Sequence, residues 1–269
     1  MMHREFTCQR GQIRLRSSAF RPAEGERFPI AVVSHEFMAN RLFTMRYAKL
    51  LASLGYAAFC FDFSGGCIVG GSQGKTTEMT VFTEMEDLKA VIRYAKSQPY
   101  TDPDRLLLMG CSQGGLVTAL TAAELGGQVE AIILFYPALS IPDDARKGSM
   151  ILAKFDPKHI PETMRCGPIK LGKGYAASVM ELDPFSVIPA YRGDVLIVHG
   201  GADNLVDISY SKRAYDAYRT SAETALKAGE ITAMPQIVFH KIEGAGHIFT
   251  HPNHNRDAVK AVTAFLDNR

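Results

Sequence analysis

Short apolar runs alternate with longer stretches of helical periodicity along most of the chain, and this alternation most restricts the fold. Pro29 to Ser34, Ala57 to Phe61, Arg105 to Met109, Glu130 to Phe135, Val195 to Val198 and Gln236 to His240 read as strands. Between and after them, Leu42 to Leu54, Thr80 to Lys96, Gln113 to Leu125, Ser209 to Thr220 and Asn255 to Leu266 read as helices. In the first helix Leu42, Met45, Tyr47, Leu50, Leu51 and Leu54 supply the apolar positions, and Gly55 ends it. The second stops before Pro99. Phe6 to Cys8 and Gln12 to Arg16 precede this series as an antiparallel hairpin. Strands alternating with helices imply a mostly parallel central sheet covered by helices on both faces, an α/β fold with right-handed crossovers. With 46% hydrophobic residues, a chain of 269 can bury one core of that kind.

One segment breaks the rhythm. From Ala138 to Tyr191 the chain is irregular and rich in Pro, Gly and Asp. A connection this long between two strands usually serves function, often as a lid. The expected organisation is a single domain, 1–269, with residues 138–191 inserted as a lid.

Composition narrows the partners. The net charge is +2, with no basic arm and no block of like charges, so nothing favours nucleic acid. No apolar stretch approaches a bilayer span, and the start lacks the apolar run of a signal peptide. Five cysteines without a CxxC pair argue against a disulfide framework or a zinc site, and Cys60 and Cys111 read as buried thiols. A cytoplasmic protein is expected, and a homodimer is left open.

Gly110-Cys111-Ser112-Gln113-Gly114 lies between a buried strand and a helix. G-x-S-x-G in that setting lifts a serine hydroxyl above the sheet on a tight turn. The Gln113 N–H then begins a helix, where it can stabilise an oxyanion. A serine nucleophile needs a base. His247, in Glu243-Gly244-Ala245-Gly246-His247, follows the last strand, where loops of parallel sheets build sites. The base needs a carboxylate to fix its tautomer. Asp203, just past His199-Gly200-Gly201-Ala202, is preferred, with Asp207 as competitor. A second oxyanion donor should come from the loop after the first parallel strand, His35-Glu36-Phe37-Met38-Ala39-Asn40, through the Phe37 N–H.

Other patterns carry less. Gly70-Gly71-Ser72-Gln73-Gly74-Lys75-Thr76 is one residue short of a phosphate-binding loop. His247, His251 and His254 have ligand-like spacing, but Pro252 interrupts any shared helix, so no metal is expected. Lys89, Arg93 and Lys96 read as a solvated helix face.

With these residues in place, the chain resembles the feruloyl/cinnamoyl esterase branch of the α/β-hydrolases over almost its whole length. The likeness includes Phe61-Asp62-Phe63, Met79-Thr80-Val81, Glu86-Asp87-Leu88, Ser112-Gln113-Gly114-Gly115, Asp156 to Pro161 and Ile242 to His247. It implies the α/β-hydrolase fold, with Ser112 as nucleophile, His247 as base, Asp203 as its orienter, and Phe37 and Gln113 as oxyanion donors. It also implies a lid that shapes a pocket for an aromatic acyl group. There Asp144 aligns with a residue that holds a phenolic hydroxyl in relatives, and Ile151 falls near a second anchor. The family has His-Gly-Phe where this chain has His35-Glu36-Phe37, and a shorter Gly-His-Gly turn where it has Ser64 to Gly71. Glu36 is expected to point away from the oxyanion, toward solvent or a cation.

The reading is a serine hydrolase that cleaves carboxylic esters of small molecules through an acyl-enzyme, aryl esters of hydroxycinnamate type among them. Its chemistry calls for no metal or organic cofactor. Lipase-like, thioester and aminoacyl-amide hydrolysis are the alternatives, and a hydrolase-fold protein that binds without turnover is the rival from another class.

Overall fold

The computed structural model describes all 269 residues. The opening hairpin pairs β1 (Met2–Arg10) with β2 (Ile13–Arg21). The alternating series follows: β3 (Phe28–Ser34), α1 (Arg41–Ser53), β4 (Ala57–Phe61), α2 (Val81–Lys96), β5 (Thr101–Cys111), α3 (Gln113–Leu125) and β6 (Ala131–Phe135). The inserted stretch holds α4 (Ile141–Arg146), the pair β7 (Ser149–Met150) and β8 (Ala153–Lys154), the pair β9 (Thr163–Cys166) and β10 (Ile169–Gly172), then α5 (Lys173–Ala177) and α6 (Pro184–Val187). The series resumes with β11 (Asp194–Gly200), α7 (Ile208–Lys227), β12 (Ile237–Ile242) and α8 (Pro252–Asp267).

The sheet has eight strands in the order β1-β2-β4-β3-β5-β6-β11-β12. From β4 to β12 every neighbour is parallel. Odd and even positions of the strands face different layers. Ile30 and Val32 pack with α2, α3 and α7, while Ala31 and Val33 pack with α1 and α8. Both layers are apolar, which is why the parallel strands read as unbroken apolar runs. No helix is long and apolar enough to cross a membrane.

Register positions the site. Ser34 of β3 pairs with Gly110 of β5, and Cys111 pairs with Phe135 of β6. Ser112 therefore emerges beside the two chains that leave β3 and β6.

The rotation of α1 departs from its apolar pattern. Its buried face is Arg41, Thr44, Tyr47, Ala48, Leu51 and Ala52, while Leu42 and Phe43 are exposed. The cause is Arg41. Its guanidinium is drawn inward by Asp62 at 3.0 Å and Glu5 at 2.7 Å, and Asn40 caps the helix through Leu42 N–H. The glycine-rich loop after β4 has a structural task. Ser72 and Gln73 bond the backbone of Arg14 and Arg16, so the loop runs along β2. Lys89 is less solvated than expected, because it pairs with Glu86 at 2.5 Å and Glu124 at 2.7 Å.

Candidate active site

Ser112 sits in the turn between β5 and α3 with φ 52° and ψ −117°. A non-glycine residue at positive φ is strained, and such strain collects at sites where the fold fixes a reactive group. Two glycines permit the turn. A Cβ on Gly110 would lie 2.1 Å from the Gly114 carbonyl oxygen, and one on Gly114 would lie 2.5 Å from the His35 carbonyl oxygen. Helix α3 can thus start hard against β5 and the loop after β3.

The expected triad comes together. Ser112 Oγ lies 2.8 Å from His247 Nε2, and His247 Nδ1 lies 2.8 Å from Asp203 Oδ2. Asp203 Oδ1 accepts from the N–H groups of Leu205 at 2.9 Å and Val206 at 3.0 Å. Burial alone would raise the Asp203 pKa. Hydrogen bonds from His199, His247 and the Val206 N–H outweigh it and hold the carboxyl well below its usual range. Asp207 is elsewhere: it caps α7, accepting from Ser209 N–H at 2.8 Å.

Sequence reasoning missed His199. It is fully buried at the end of β11, with Nε2 3.0 Å from Asp203 Oδ2 and 3.0 Å from the Val206 carbonyl oxygen. Both partners are acceptors, so Nε2 carries the proton, and Nδ1 accepts from the Ser211 hydroxyl at 2.7 Å. The signal available was a histidine four residues before the carboxylate in His199-Gly200-Gly201-Ala202-Asp203.

The loop after β3 is fixed by another buried histidine. His35 Nε2 accepts from Phe63 N–H at 3.1 Å, which leaves Nδ1 to donate to the Glu36 carbonyl at 2.7 Å. Phe37 and Gln113 flank Ser112 in one cavity, and no protein group accepts from the N–H of either. The expectation for Glu36 is corrected. Its carboxylate pairs with no cation, and only one of its oxygens is shielded from solvent. Oε1 accepts from the Tyr136 hydroxyl at 3.0 Å, and Oε2 is buried without a partner. Tyr136, at φ 37° just after β6, lays its ring 4.8 Å from the His247 ring.

A second polar chain lies beneath the elbow. The Gln113 side chain donates to Glu84 Oε2 at 2.7 Å and accepts from the Tyr175 hydroxyl of α5. Burial pushes the Glu84 carboxyl well above its usual value, which favours the neutral acid. The Tyr175 ring also packs 5.6 Å from that of Phe37.

A cavity of about 190 Å³ adjoins the serine, walled by Phe37, Ser112, Gln113, Ile141, Asp144 and Ile151 among others. Both substrate-binding candidates, Asp144 and Ile151, therefore lie on it. Burial raises the Asp144 carboxyl above its ordinary value, and the Ser140 hydroxyl, donating at 2.9 Å, only partly offsets this. Ile151 stands at the tip of the β7–β8 pair with φ 58°.

The histidine trio forms no metal site. Both His247 nitrogens are engaged, while His251 and His254 face one another 5.1 Å apart at the start of α8. Cys60 and Cys111 are fully buried, and burial pushes the Cys60 thiol up to about 12.

The model of the prolyl oligopeptidase family matches residues 43–269. A peptidase of undetermined role, YtmA of Bacillus subtilis, is 24% identical over 230 residues, covering 81% of this chain and 74% of its own. The quorum-quenching protein AidA of Acinetobacter baumannii is 31% identical over 106 residues, a match that spans 39% of this chain and 34% of AidA. Among solved structures, ferulic acid bound to Est1E from Butyrivibrio proteoclasticus superposes with a TM-score of 0.84 at 25% identity, covering 98% of this chain and 100% of that one. A complex of DcsB with its substrate analogue shares the fold at a TM-score of 0.73 and 18% identity, over 99% of both chains. The chain belongs to the prolyl oligopeptidase family and is a hydrolase of the α/β-hydrolase fold.

Proposed function

We propose that this hydrolase cleaves carboxylic esters through an acyl-enzyme, with Ser112 as nucleophile. One observation carries the reading: an unbroken chain from Ser112 through His247 to Asp203, 2.8 Å at each step, at the wall of a cavity. His247 Nε2 takes the hydroxyl proton as Ser112 Oγ attacks the ester carbonyl. Asp203 holds the tautomer and stabilises the imidazolium. The N–H groups of Phe37 and Gln113, free of other partners, receive the oxyanion. Collapse expels the alcohol, which takes its proton from His247. Water activated by the same imidazole then releases the acid.

The stretch 138–191 acts as the lid over the acyl group. Its residues Ile141, Asp144 and Ile151 wall the cavity beside Ser112. An aryl acid fits that mixture of apolar wall and single carboxyl, and Est1E, similar over the whole chain, holds ferulic acid. Asp144 would meet the distal hydroxyl of such an acid.

Amide hydrolysis is the second reading, favoured by the family match, since the same triad can expel an amine. A fluorophosphonate probe and a matched panel test both. Wild type should be labelled and Ser112→Ala should not, with turnover lost by about 10⁴-fold or more. Faster cleavage of aryl esters than of aminoacyl amides is the expected result. Retention of a tenth of kcat in Ser112→Ala, or preference for the amide, overturns the proposal.

A further inference from the structure

A second groove opens on Ser112, and its chemistry differs from that of the cavity under the inserted stretch. It has a volume of about 290 Å³, and Met38, Phe43, Leu205 and Ile248 stand on its walls with Ser112 and His247. The two spaces share Phe37, Ser112, Ile151 and Leu205. Gln113 and Asp144 line only the first, and His247 lines only the second.

That division assigns the halves of an ester. The Ser112 Oγ–acyl bond forms as the acyl–alkoxy C–O bond breaks, and the departing oxygen takes its proton from His247 Nε2. The alcohol must therefore lie on the His247 side, and the acid on the Gln113 side. We propose that the groove walled by Met38, Phe43 and Ile248 is the leaving-group site, and that the ester carries a neutral, apolar alcohol. The assignment rests on the ester reading above.

Three observations favour an apolar alcohol. Phe43 is 61% exposed, Leu205 55% and Ile248 46%, and all three wall the groove. Large apolar side chains gathered around one opening mark a binding surface. Phe43 owes its outward position to the Arg41 anchor that turns α1 away from its apolar pattern. Third, a sugar alcohol would bring hydroxyls that need partners once water is excluded. Apart from Ser112 and His247, the only polar side chain on the groove is Glu36, and Tyr136 already occupies one of its oxygens.

The test holds the acid constant and varies the alcohol: methyl, butyl, glyceryl and dimethylaminoethyl esters of one hydroxycinnamic acid. Methoxide and butoxide are similar leaving groups, so kcat/KM for that pair reports contact rather than reactivity. Partial burial of three methylenes should raise kcat/KM about tenfold from methyl to butyl. Phe43→Ser, at an exposed position, should cut the butyl-to-methyl ratio about fivefold, and Ile248→Ser should act in the same direction. Equal values for methyl and butyl, or a glyceryl or cationic ester that outruns butyl, overturn the assignment while the ester reading stands. Absence of turnover of every ester, in protein that still labels with fluorophosphonate, overturns the ester reading and this assignment together.

Discussion

His199 Nε2 and His247 Nδ1 lie 3.0 Å and 2.8 Å from the same oxygen of Asp203. One carboxylate oxygen thus serves two imidazoles: that of His247, which bonds Ser112, and a fully buried neighbour. If His247 is the base, His199 should act as a positioning residue for it. His199→Phe keeps the volume and removes the donor. A hydrogen bond to a charged group contributes about 1.5–3 kcal/mol, so kcat should fall about 10- to 100-fold with KM little changed. An unchanged kcat, or a loss carried by KM instead, would leave His199 with a packing role only.

Asp203 and Asp207 differ in task, and so should their variants. Asp203→Asn should lower kcat by about 10⁴-fold, through the wrong tautomer of His247. Asp207→Ala should change kcat less than about twofold and slightly lower the melting temperature, through its lost cap on α7. Paired kinetic and melting measurements read both, and an inactive Asp207 variant would displace Asp203 from the triad.

Glu36 is held by Tyr136, so its charge should weigh little on the oxyanion. Glu36→Gln should alter kcat/KM less than about threefold, under 1 kcal/mol. Tyr136→Phe should instead cost about 1–3 kcal/mol of stability, because it orphans a carboxylate with one unpartnered buried oxygen. Denaturant titration measures the second effect. A tenfold gain in Glu36→Gln would show that the carboxylate restrains catalysis.

Glu84 links stability to pH with a definite sign. Its folded pKa lies well above the unfolded value of about 4.3, so the native state binds the extra proton between the two. Its contribution is complete below about pH 4 and is lost as pH rises toward the folded pKa. Glu84→Gln keeps an acceptor for Gln113 and cannot ionise. Relative to wild type it should gain stability as pH rises through that window. Parallel stability curves would refute the buried neutral acid.

Asp144→Ala should narrow the preference for aryl esters with a phenolic hydroxyl over those without it, by about 3- to 30-fold in the ratio of kcat/KM. An unchanged ratio would remove Asp144 from contact with the acid.

The parallel sheet was legible because strands buried on both faces must be apolar throughout, and the elbow because its glycines answer contacts near 2 Å that no side chain could accept. The place of Asp203 beside His247 was legible from the strand end. The inner ring was not. His199 has near partners but no motif that marks it, whereas His35, Glu84 and Tyr175 act through distant ones: local sequence carries no record that Glu84 and Gln113 meet across 29 positions, or Tyr175 and Gln113 across 62. The outward turn of Phe43 was hidden for a related reason. A buried arginine, paired with Asp62 and Glu5, set the rotation of α1 against its apolar periodicity. The inserted stretch was legible as irregular, but its strands of two to four residues are too short to show a period.

Ile151 has a backbone angle that glycine adopts freely and a β-branched residue resists, by about 1–2 kcal/mol. It is also a wall common to the two compartments on either side of Ser112. At this position the strain of the turn and the wall between the two spaces depend on one side chain. Ile151→Gly would relax the turn and remove the side chain that stands between the two spaces, so that whatever the two compartments keep apart would mix.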